Sequence, residues 1–184
     1  AVPGAADSER GYWRDVGDID AYWESHMDLI SVNPAFNLYN PKWPIRTLSY
    51  QAPPAKFVHN KGERKGVATE SMVSDGCIIS GGQISGSIIS PYCRINSYSH
   101  VENSLLLHNV NVGRYVKIKN AIIDKNVTIP AGIEIGYNRD EDLARGFFVS
   151  PGGVTVVPKD TTILEPDPSV VEALEQSMLS TSSV

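Results

Sequence analysis

A repeat of 17 residues is the feature of the sequence that most restricts its fold. Between residues 78 and 135, branched aliphatic residues recur in steps of six, five and six. They form three columns: Ile78, Ile95, Val112 and Ile129; Ile84, Val101, Ile118 and Ile135; Ile89, Leu106 and Ile123. The spacing continues upstream to Met72 and Val67 and fails at Lys61 and at Asp140. The repeat therefore predicts about four stacked units between residues 67 and 135.

Steps of five or six residues are too short for a helix and its turn, but each fits one short strand and a corner. Three steps in each period predict three flat faces, with the column residues pointing inward and the units stacked about 4.8 Å apart. Gly, Asn, Ser or Asp follow many column residues, as corners require. The pattern favours a mainly β fold, a parallel β-helix, over an antiparallel sandwich, which rarely keeps a fixed register. The period alone does not give the handedness.

The remaining segments show different patterns. Residues 18–32 read as a helix with Asp18 as its N-cap, and five prolines between residues 34 and 58 indicate an extended linker that continues as a loop over 60–66. After the repeat we expect a charged short helix or turn at 137–145, a hairpin at 147–157, and a helix from Pro168 to about Leu179. Residues 1–10 and 180–184 are expected to be a loop and a disordered tail.

Composition excludes several classes of protein. The net charge of −5 argues against a nucleic-acid partner, and no apolar run reaches the roughly 18 residues of a membrane span. Cys77 and Cys93 are 16 residues apart, one short of the period, so we expect them in neighbouring columns as small buried residues of a reducing cytoplasm. The four histidines show no metal-binding spacing.

Five segments resemble a known family. They are GYWRDVGDIDAYW (11–23), WPIRT (43–47), PPAKFV (53–58), VSDGCIISG (73–81) and IIDK (122–125). Together they closely resemble bacterial ADP-glucose pyrophosphorylase, also called glucose-1-phosphate adenylyltransferase. The resemblance implies a left-handed parallel β-helix preceded by the last strand-helix unit of an α/β nucleotidyltransferase domain. It divides the chain into a nucleotidyltransferase remnant (1–33), a linker (34–66) and a β-helix domain with its tail (67–184).

The resemblance also implies a reaction: ATP and glucose 1-phosphate give ADP-glucose and pyrophosphate, for glycogen synthesis. Asp15 matches a Mg²⁺ ligand and Trp13 matches a residue of the sugar-phosphate site. From the residues alone, Asp15 also fits a turn or capping role and Trp13 fits core packing. The family's glycine-rich nucleotide loop would lie upstream, so we expect this segment to be inactive by itself. A cytoplasmic homotetramer is implied for the complete enzyme.

A second set of residues is implied to bind regulatory anions. Lys125 and Lys159 match basic positions of the family's effector site for sugar phosphates, although relatives often carry Arg there. Ser74 and Asp75 match a loop near another effector pocket, and Lys56 lies in the linker close to the same region. From the residues alone, Lys125 could instead be an ordinary solvated lysine, and Lys56 could have a structural role.

Two alternatives come from other functional classes. A hexapeptide-repeat acyltransferase would use a histidine of the coils, His100 or His108, as general base. It would leave residues 11–58 unexplained. The chain could also be a non-catalytic regulatory or assembly module.

Overall fold

The computed structural model of the chain describes residues 12–46 and 50–181. The loop predicted over residues 1–10 and the last three residues of the predicted tail lie outside these ranges. In chain order the elements are α1 (Ile19–Asp28), β1 (Lys56–Val58), β2 (Asn60–Lys61), β3 (Arg64–Lys65), β4 (Val67–Thr69), β5 (Met72–Val73), β6 (Ile78–Ser80), β7 (Gln83–Ser85), β8 (Ile88–Ile89), β9 (Arg94–Ile95), β10 (His100–Glu102), β11 (Leu105–Leu106), β12 (Asn111–Val112), β13 (Lys117–Lys119), β14 (Ala121–Ile123), β15 (Thr128–Ile129), β16 (Glu134–Ile135), α2 (Arg139–Ala144), β17 (Phe148–Val149), β18 (Thr155–Val157) and α3 (Pro168–Thr181).

The short strands stack into three sheets that form the faces of a parallel β-helix. One sheet contains β1, β6, β9, β12 and β15; the second contains β4, β7, β10, β13 and β16; the third contains β5, β8, β11, β14 and β18, with β17 at its edge. Column residues pair directly between coils: Ile95 faces Val112, and Val101 faces Ile118. These side chains are fully buried in one continuous core. The predicted β-helix is therefore confirmed.

The predicted register is wrong by one residue in the first coil. Ile79, not Ile78, pairs with Ile95, while Ala68 and Val73 take the inward places predicted for Val67 and Met72. The corner between Ile79 and Ile84 has one residue fewer than the equivalent corners below it. It contains Gly81 and Gly82, and a Cβ on Gly82 would lie only 2.6 Å from Cγ2 of Ile95. Two residues without side chains make this shorter corner possible.

The same shift places the two cysteines in one column rather than in neighbouring columns. Cys77 and Cys93 precede Ile79 and Ile95 by two residues each, and both are free, buried thiols in the core. The hydrogen bond with Cys77, together with burial, raises the pKa of the Cys93 thiol well above its usual range. The Cys93 thiol is therefore protonated and packs as a small apolar group, as predicted.

The β-helix extends beyond both ends of the predicted repeat. In the segment predicted as a linker, β1 pairs with β6, and β2 and β3 form an antiparallel hairpin where a loop was predicted. Beyond Ile135, residues 136–154 leave the stack, and Val157 then pairs with Ile123. The insertion contains α2 and β17, the first strand of the predicted hairpin; the second strand, β18, is antiparallel to β17 and belongs to the stack. Lys61 and Asp140 break the sequence repeat because they stand in these insertions.

Helix α1 lies on the outer face of the third sheet. Its apolar residues Ile19, Tyr22, Trp23 and Met27 pack against Leu105, Ile122 and Val154. The Asp18 carboxylate accepts a hydrogen bond from the Ala21 N–H at 2.7 Å, which confirms the predicted cap. The helix ends at Asp28, four residues before its predicted end, because Leu29, Ile30 and Ser31 donate to carbonyls three residues back and tighten the chain into turns.

The strand that the resemblance implies before α1 is not formed. Residues 12–17 are irregular, because an extended segment becomes a strand only when another strand pairs with it, and none of the described strands lies beside them. At the other end, α3 places Val171 and Leu174 over Gly132. Within the described ranges, no helix combines the length and apolar character needed to cross a membrane.

Candidate functional site

One corner of the β-helix collects several of the predicted residues. Backbone N–H groups of Tyr92, Asn109, Asn126 and Asp160 donate to the carbonyls of Asp75, Pro91, His108 and Lys125, one coil earlier in each case. Each donor is preceded by one residue that lies above the acceptor residue of the coil before it. These preceding residues and Asp75 therefore occupy equivalent places in successive coils and form a column. We call Asp75, Pro91, His108, Lys125 and Lys159 the corner column.

Lys125 and Lys159 are adjacent in this column, although 34 residues separate them in the sequence. The insertion at 136–154 takes up one period of the repeat, so the two lysines stand in consecutive coils, about 4.8 Å apart along the axis. Both side chains are exposed. Two lysines in consecutive coils of a rigid corner present cationic side chains that suit a phosphate or carboxylate, and the carboxylates of Asp124 and Asp160 are adjacent to them in sequence.

A ladder of polar side chains fixes the backbone beside the two lysines. The Asn109 amide donates to Asn126 Oδ1 at 3.1 Å, and the Asn126 amide donates to Asp160 Oδ1 at 3.2 Å. All three residues have φ near +60°, a region that Asn and Asp tolerate better than other side chains. This ladder was not identified from the sequence, although the 17-residue spacing of Asn109 and Asn126 could have revealed it.

The other predicted effector residues lie farther up the β-helix. Asp75 is three coils from Lys125, roughly 14 Å along the axis at the usual strand spacing. Ser74 immediately precedes Asp75, and its N–H donates to the Ile89 carbonyl. Lys56 is exposed on β1, at the outer surface of the first sheet. The structure therefore brings Lys125 and Lys159 together but keeps Lys56, Ser74 and Asp75 apart from them.

An open cavity of about 300 Å³ lies beside Gly76, the residue that follows Asp75. Its wall includes Gly76, Tyr92, Arg94, Asn109 and Asn111. The Arg94 guanidinium donates to Asn96 Oδ1 at 3.1 Å and is exposed. The cavity thus combines one cation with amide groups and could hold a small anion near Ser74 and Asp75.

Trp13 and Asp15 lie on the irregular segment before α1. The Trp13 side chain is 82% exposed, so core packing does not explain it within the described structure. Asp15 is also exposed, and its Oδ1 accepts the Gly17 N–H at 2.9 Å in a tight turn. From the residues that the structure describes, no hydrogen bond reaches Oδ2, so this oxygen can coordinate a hard cation. Among the described residues, no group of three His, Cys, Asp or Glu side chains is arranged to hold a metal by itself.

Polar contacts attach α1 firmly to the β-helix. The Asp20 carboxylate accepts hydrogen bonds from the Ser150 hydroxyl at 2.5 Å and from the Gly152 N–H at 2.9 Å. The Trp23 indole N–H donates to the Asn103 carbonyl at 3.0 Å. Burial, and then the Asp124 carboxylate, raise the pKa of Tyr22. None of the Asp20 contacts was predicted, because 130 residues separate Asp20 from Ser150.

The two histidines of the acyltransferase alternative have different surroundings. His100 lies on the outer surface of β10, between Gln83 and Lys117 of the adjacent strands. His108 is stacked on Tyr50 with ring centroids 5.3 Å apart and meets the edge of Tyr92 at 5.5 Å. Its Nδ1 is buried, and no described residue forms a hydrogen bond with it. Neither histidine has a carboxylate partner among the described contacts that would orient it as a base.

Comparison with known proteins identifies the β-helix. Residues 53–157 match the family model of the GlmU-like C-terminal hexapeptide domain. The chain is 55% identical over 160 residues to a glucose-1-phosphate adenylyltransferase of Anaeromyxobacter sp. (strain Fw109-5), covering 86% of this chain and 39% of the relative. The corresponding enzymes of Trichlorobacter lovleyi and Parafrankia sp. are 53% and 51% identical over 86% and 89% of the chain, and 38% and 40% of their own lengths.

The chain thus spans about two fifths of the length of these relatives. The hexapeptide match agrees with the left-handed β-helix that the resemblance implies, and the identity extends over most of the chain. The chain belongs to the GlmU-like hexapeptide family and is a relative of the glucose-1-phosphate adenylyltransferases.

Proposed function

We propose that this chain is part of a glucose-1-phosphate adenylyltransferase, in which it carries a metal-binding carboxylate and a regulatory anion site. In the reaction, an oxygen of glucose 1-phosphate bonds to the α-phosphorus of ATP, and pyrophosphate leaves as its bond to that phosphorus breaks. The observation that carries the proposal is the identity of 50% or more to enzymes of that name over most of the chain.

Asp15 is the residue through which the chain would hold Mg²⁺. A carboxylate oxygen is a hard ligand of the kind that Mg²⁺ prefers, and one or two carboxylates with substrate phosphates and water complete such sites. The exposed Oδ2 of Asp15 fits this role, while the bond from Gly17 to Oδ1 orients the carboxylate. When bound, Mg²⁺ supplies positive charge beside the phosphates. The exposed Trp13 ring would provide a wall for the sugar phosphate.

The corner lysines would bind the regulatory anion. Lys125 and Lys159 are the two cations of the corner column, and the asparagine ladder beside them keeps their backbones fixed. A sugar phosphate or inorganic phosphate matches this charge, and the cavity next to Asp75, near Lys56 and Ser74, would take a second small anion. The enzyme is further proposed to be a cytoplasmic homotetramer, because the open ends of a β-helix are commonly covered by other parts of the protein or by subunits.

The Asp15→Asn substitution in the full-length protein tests the catalytic part of the proposal. We expect turnover, measured as pyrophosphate release from ATP and glucose 1-phosphate, to fall by orders of magnitude, because the amide keeps the size and removes the charge. Asp18→Asn is the matched control, since Asn caps a helix as well as Asp does. Full activity of Asp15→Asn would show that Asp15 does not bind the metal.

Lys125→Ala tests the regulatory part. We expect the ratio of rates with and without fructose 6-phosphate or inorganic phosphate to move toward one, since one of two charged contacts is lost. Lys119→Ala, at a half-buried position of the second sheet, removes a lysine away from the corner column and should leave the ratio unchanged. An unchanged ratio for Lys125→Ala would place the effector site elsewhere.

A further inference from the structure

The hairpin β17–β18 connects the corner lysines to α1. Strand β18 pairs with β14 along its whole length, and Lys125 and Lys159 follow these two strands by two residues each. The other end of the same strand begins at Thr155, next to the hairpin tip at residues 150–154. Any anion that bridges the two lysines therefore acts on a strand whose opposite end carries the tip.

Ser150 is the first residue of that tip and is fully buried. Its hydroxyl oxygen accepts the Val154 N–H at 2.8 Å, and its backbone N–H donates to the Val154 carbonyl at 2.9 Å. The hydroxyl donates its proton to Asp20 Oδ1, and the Gly152 N–H donates to Asp20 Oδ2. Each oxygen of one carboxylate thus holds a different donor of the tip.

Gly152 is required for this contact. A Cβ at position 152 would lie 2.7 Å from both Cγ and Oδ1 of Asp20, well inside van der Waals contact. The backbone of the tip therefore approaches the carboxylate as closely as only glycine allows.

Asp20 in turn lies in the first turn of α1, two residues after the Asp18 cap. The turn made by Asp15 and Gly17 precedes this cap directly. A displacement of the hairpin tip would thus reach the Asp15 turn through Asp20 and one turn of helix. The contact between Trp23 and Asn103 is made farther along α1, toward its other end.

We infer that the Asp20 carboxylate is a positioning residue through which the β17–β18 hairpin couples anion binding at Lys125 and Lys159 to the Asp15 turn. This inference rests on the proposed function, because it assumes that an anion binds at the corner lysines. Coupling requires that the anion have different affinities for two arrangements of the tip, and the Asp20 contacts link one arrangement to the position of α1.

Two substitutions with different chemistry remove the same contact. In Asp20→Asn an NH₂ group replaces one of the two carboxylate oxygens that accept hydrogen bonds. The Ser150 hydroxyl or the Gly152 N–H then faces another donor and loses its hydrogen bond. In Gly152→Ala the charge of Asp20 remains, and the added methyl group pushes the carboxylate away from the tip. Asp140→Asn on α2 removes an exposed carboxylate without touching the hairpin tip and is the control.

The test is hydrogen–deuterium exchange of the full-length protein with and without fructose 6-phosphate, and separately with inorganic phosphate. Titration calorimetry gives the dissociation constant of each probe, and thermal unfolding checks that each variant is folded. In the wild type and in Asp140→Asn we expect the probe to slow exchange in peptides covering 15–28 and 148–157. In Asp20→Asn and Gly152→Ala the probe should still bind but should lose its effect on exchange in residues 15–28.

The activation ratio, the rate of pyrophosphate release with the anion divided by the rate without it, gives a second readout. We expect it to fall by about fivefold or more in Asp20→Asn and Gly152→Ala, as a coupling free energy of ordinary size implies. If the wild type transmits the probe's effect to residues 15–28 and both variants transmit it equally, the inference is wrong and the proposed function stands. If no probe binds the wild type at the corner lysines, the regulatory part of the proposed function fails, and the inference fails with it. Should Asp20→Asn not fold, Gly152→Ala decides alone.

Discussion

Individual residues of the inward columns contribute most of the stability of this β-helix. Ile95 is fully buried and pairs with Ile79 above and Val112 below, so its side chain contacts the core in three successive coils. Its neighbour Arg94 lies on the same strand, but its side chain is exposed. The two residues therefore differ in burial although they share one backbone element.

Replacing Ile95 by Ala should lower the free energy of unfolding by about 2–5 kcal/mol, because it leaves a cavity inside a packed column. Arg94→Ala is the matched control and should change stability by no more than about 0.5 kcal/mol. Urea unfolding followed by circular dichroism measures both. Equal effects of the two substitutions would mean that the column is not the stabilising unit.

Asn126 provides a second test at the residue scale. It combines φ of 62° with one hydrogen bond to Asn109 and another to Asp160. Asn126→Gly loses the two hydrogen bonds, but glycine adopts the left-handed backbone without strain. Asn126→Ala loses the same two hydrogen bonds and adds the cost of a left-handed conformation, about 1–2 kcal/mol. Thermal unfolding should therefore rank the wild type above Gly and Gly above Ala. If Ala equals Gly, the left-handed backbone contributes nothing measurable.

Single residues also show what the sequence can and cannot predict about the site. Asp15 and the two lysines were identified through a family resemblance, and the structure adds that Lys125 and Lys159 are neighbours. Asp20, Ser150 and Gly152 carry no local signal, since their contact depends on how α1 packs against an inserted hairpin. Contacts between segments so distant in sequence follow from tertiary packing, which no periodicity reveals.

At the scale of elements, corner length decides the register. The period of 17 predicts most pairs of column residues correctly, but it fails wherever a corner gains or loses residues. One missing residue between Ile79 and Ile84 moved every upstream position by one, and the insertion at 136–154 hid the coil that contains Val157. A one-residue shift exchanges inward and outward side chains, and upstream it went unnoticed because both alternatives were apolar.

The short corner predicts a specific steric coupling between Gly82 and Ile95. Gly82→Ala should destabilise the protein by about 1–3 kcal/mol, because the new methyl group overlaps Cγ2 of Ile95. Ile95→Leu removes the branch at Cβ and with it this overlap. In a double-mutant cycle measured by urea unfolding, the double variant should be more stable than the sum of the single effects predicts. Strict additivity would indicate that the corner relaxes away from Ile95.

On the scale of the whole molecule, the chain contains a β-helix with a continuous core but only one part of the proposed catalytic apparatus. Its core is continuous from Cys77 to Ile163, and α1 packs in a second, smaller cluster on the outer face of the third sheet rather than onto a sheet of its own. The proposed catalytic residues Trp13 and Asp15 are exposed and precede α1, outside this core. Stability and the proposed chemistry therefore reside in different portions of the chain.

This separation leads to a prediction about metal binding and activity. The 184-residue chain alone should fold, yet it should form no ADP-glucose from ATP and glucose 1-phosphate and should bind Mg²⁺ only weakly. Mg²⁺ retains most of its water beside a single carboxylate, and tight binding requires further carboxylates or substrate phosphates. Circular dichroism would verify the fold, and calorimetric titration with Mg²⁺ would give the affinity of the chain and of its Asp15→Asn variant. Tight binding that disappears in Asp15→Asn would show instead that this chain already contains a complete magnesium site.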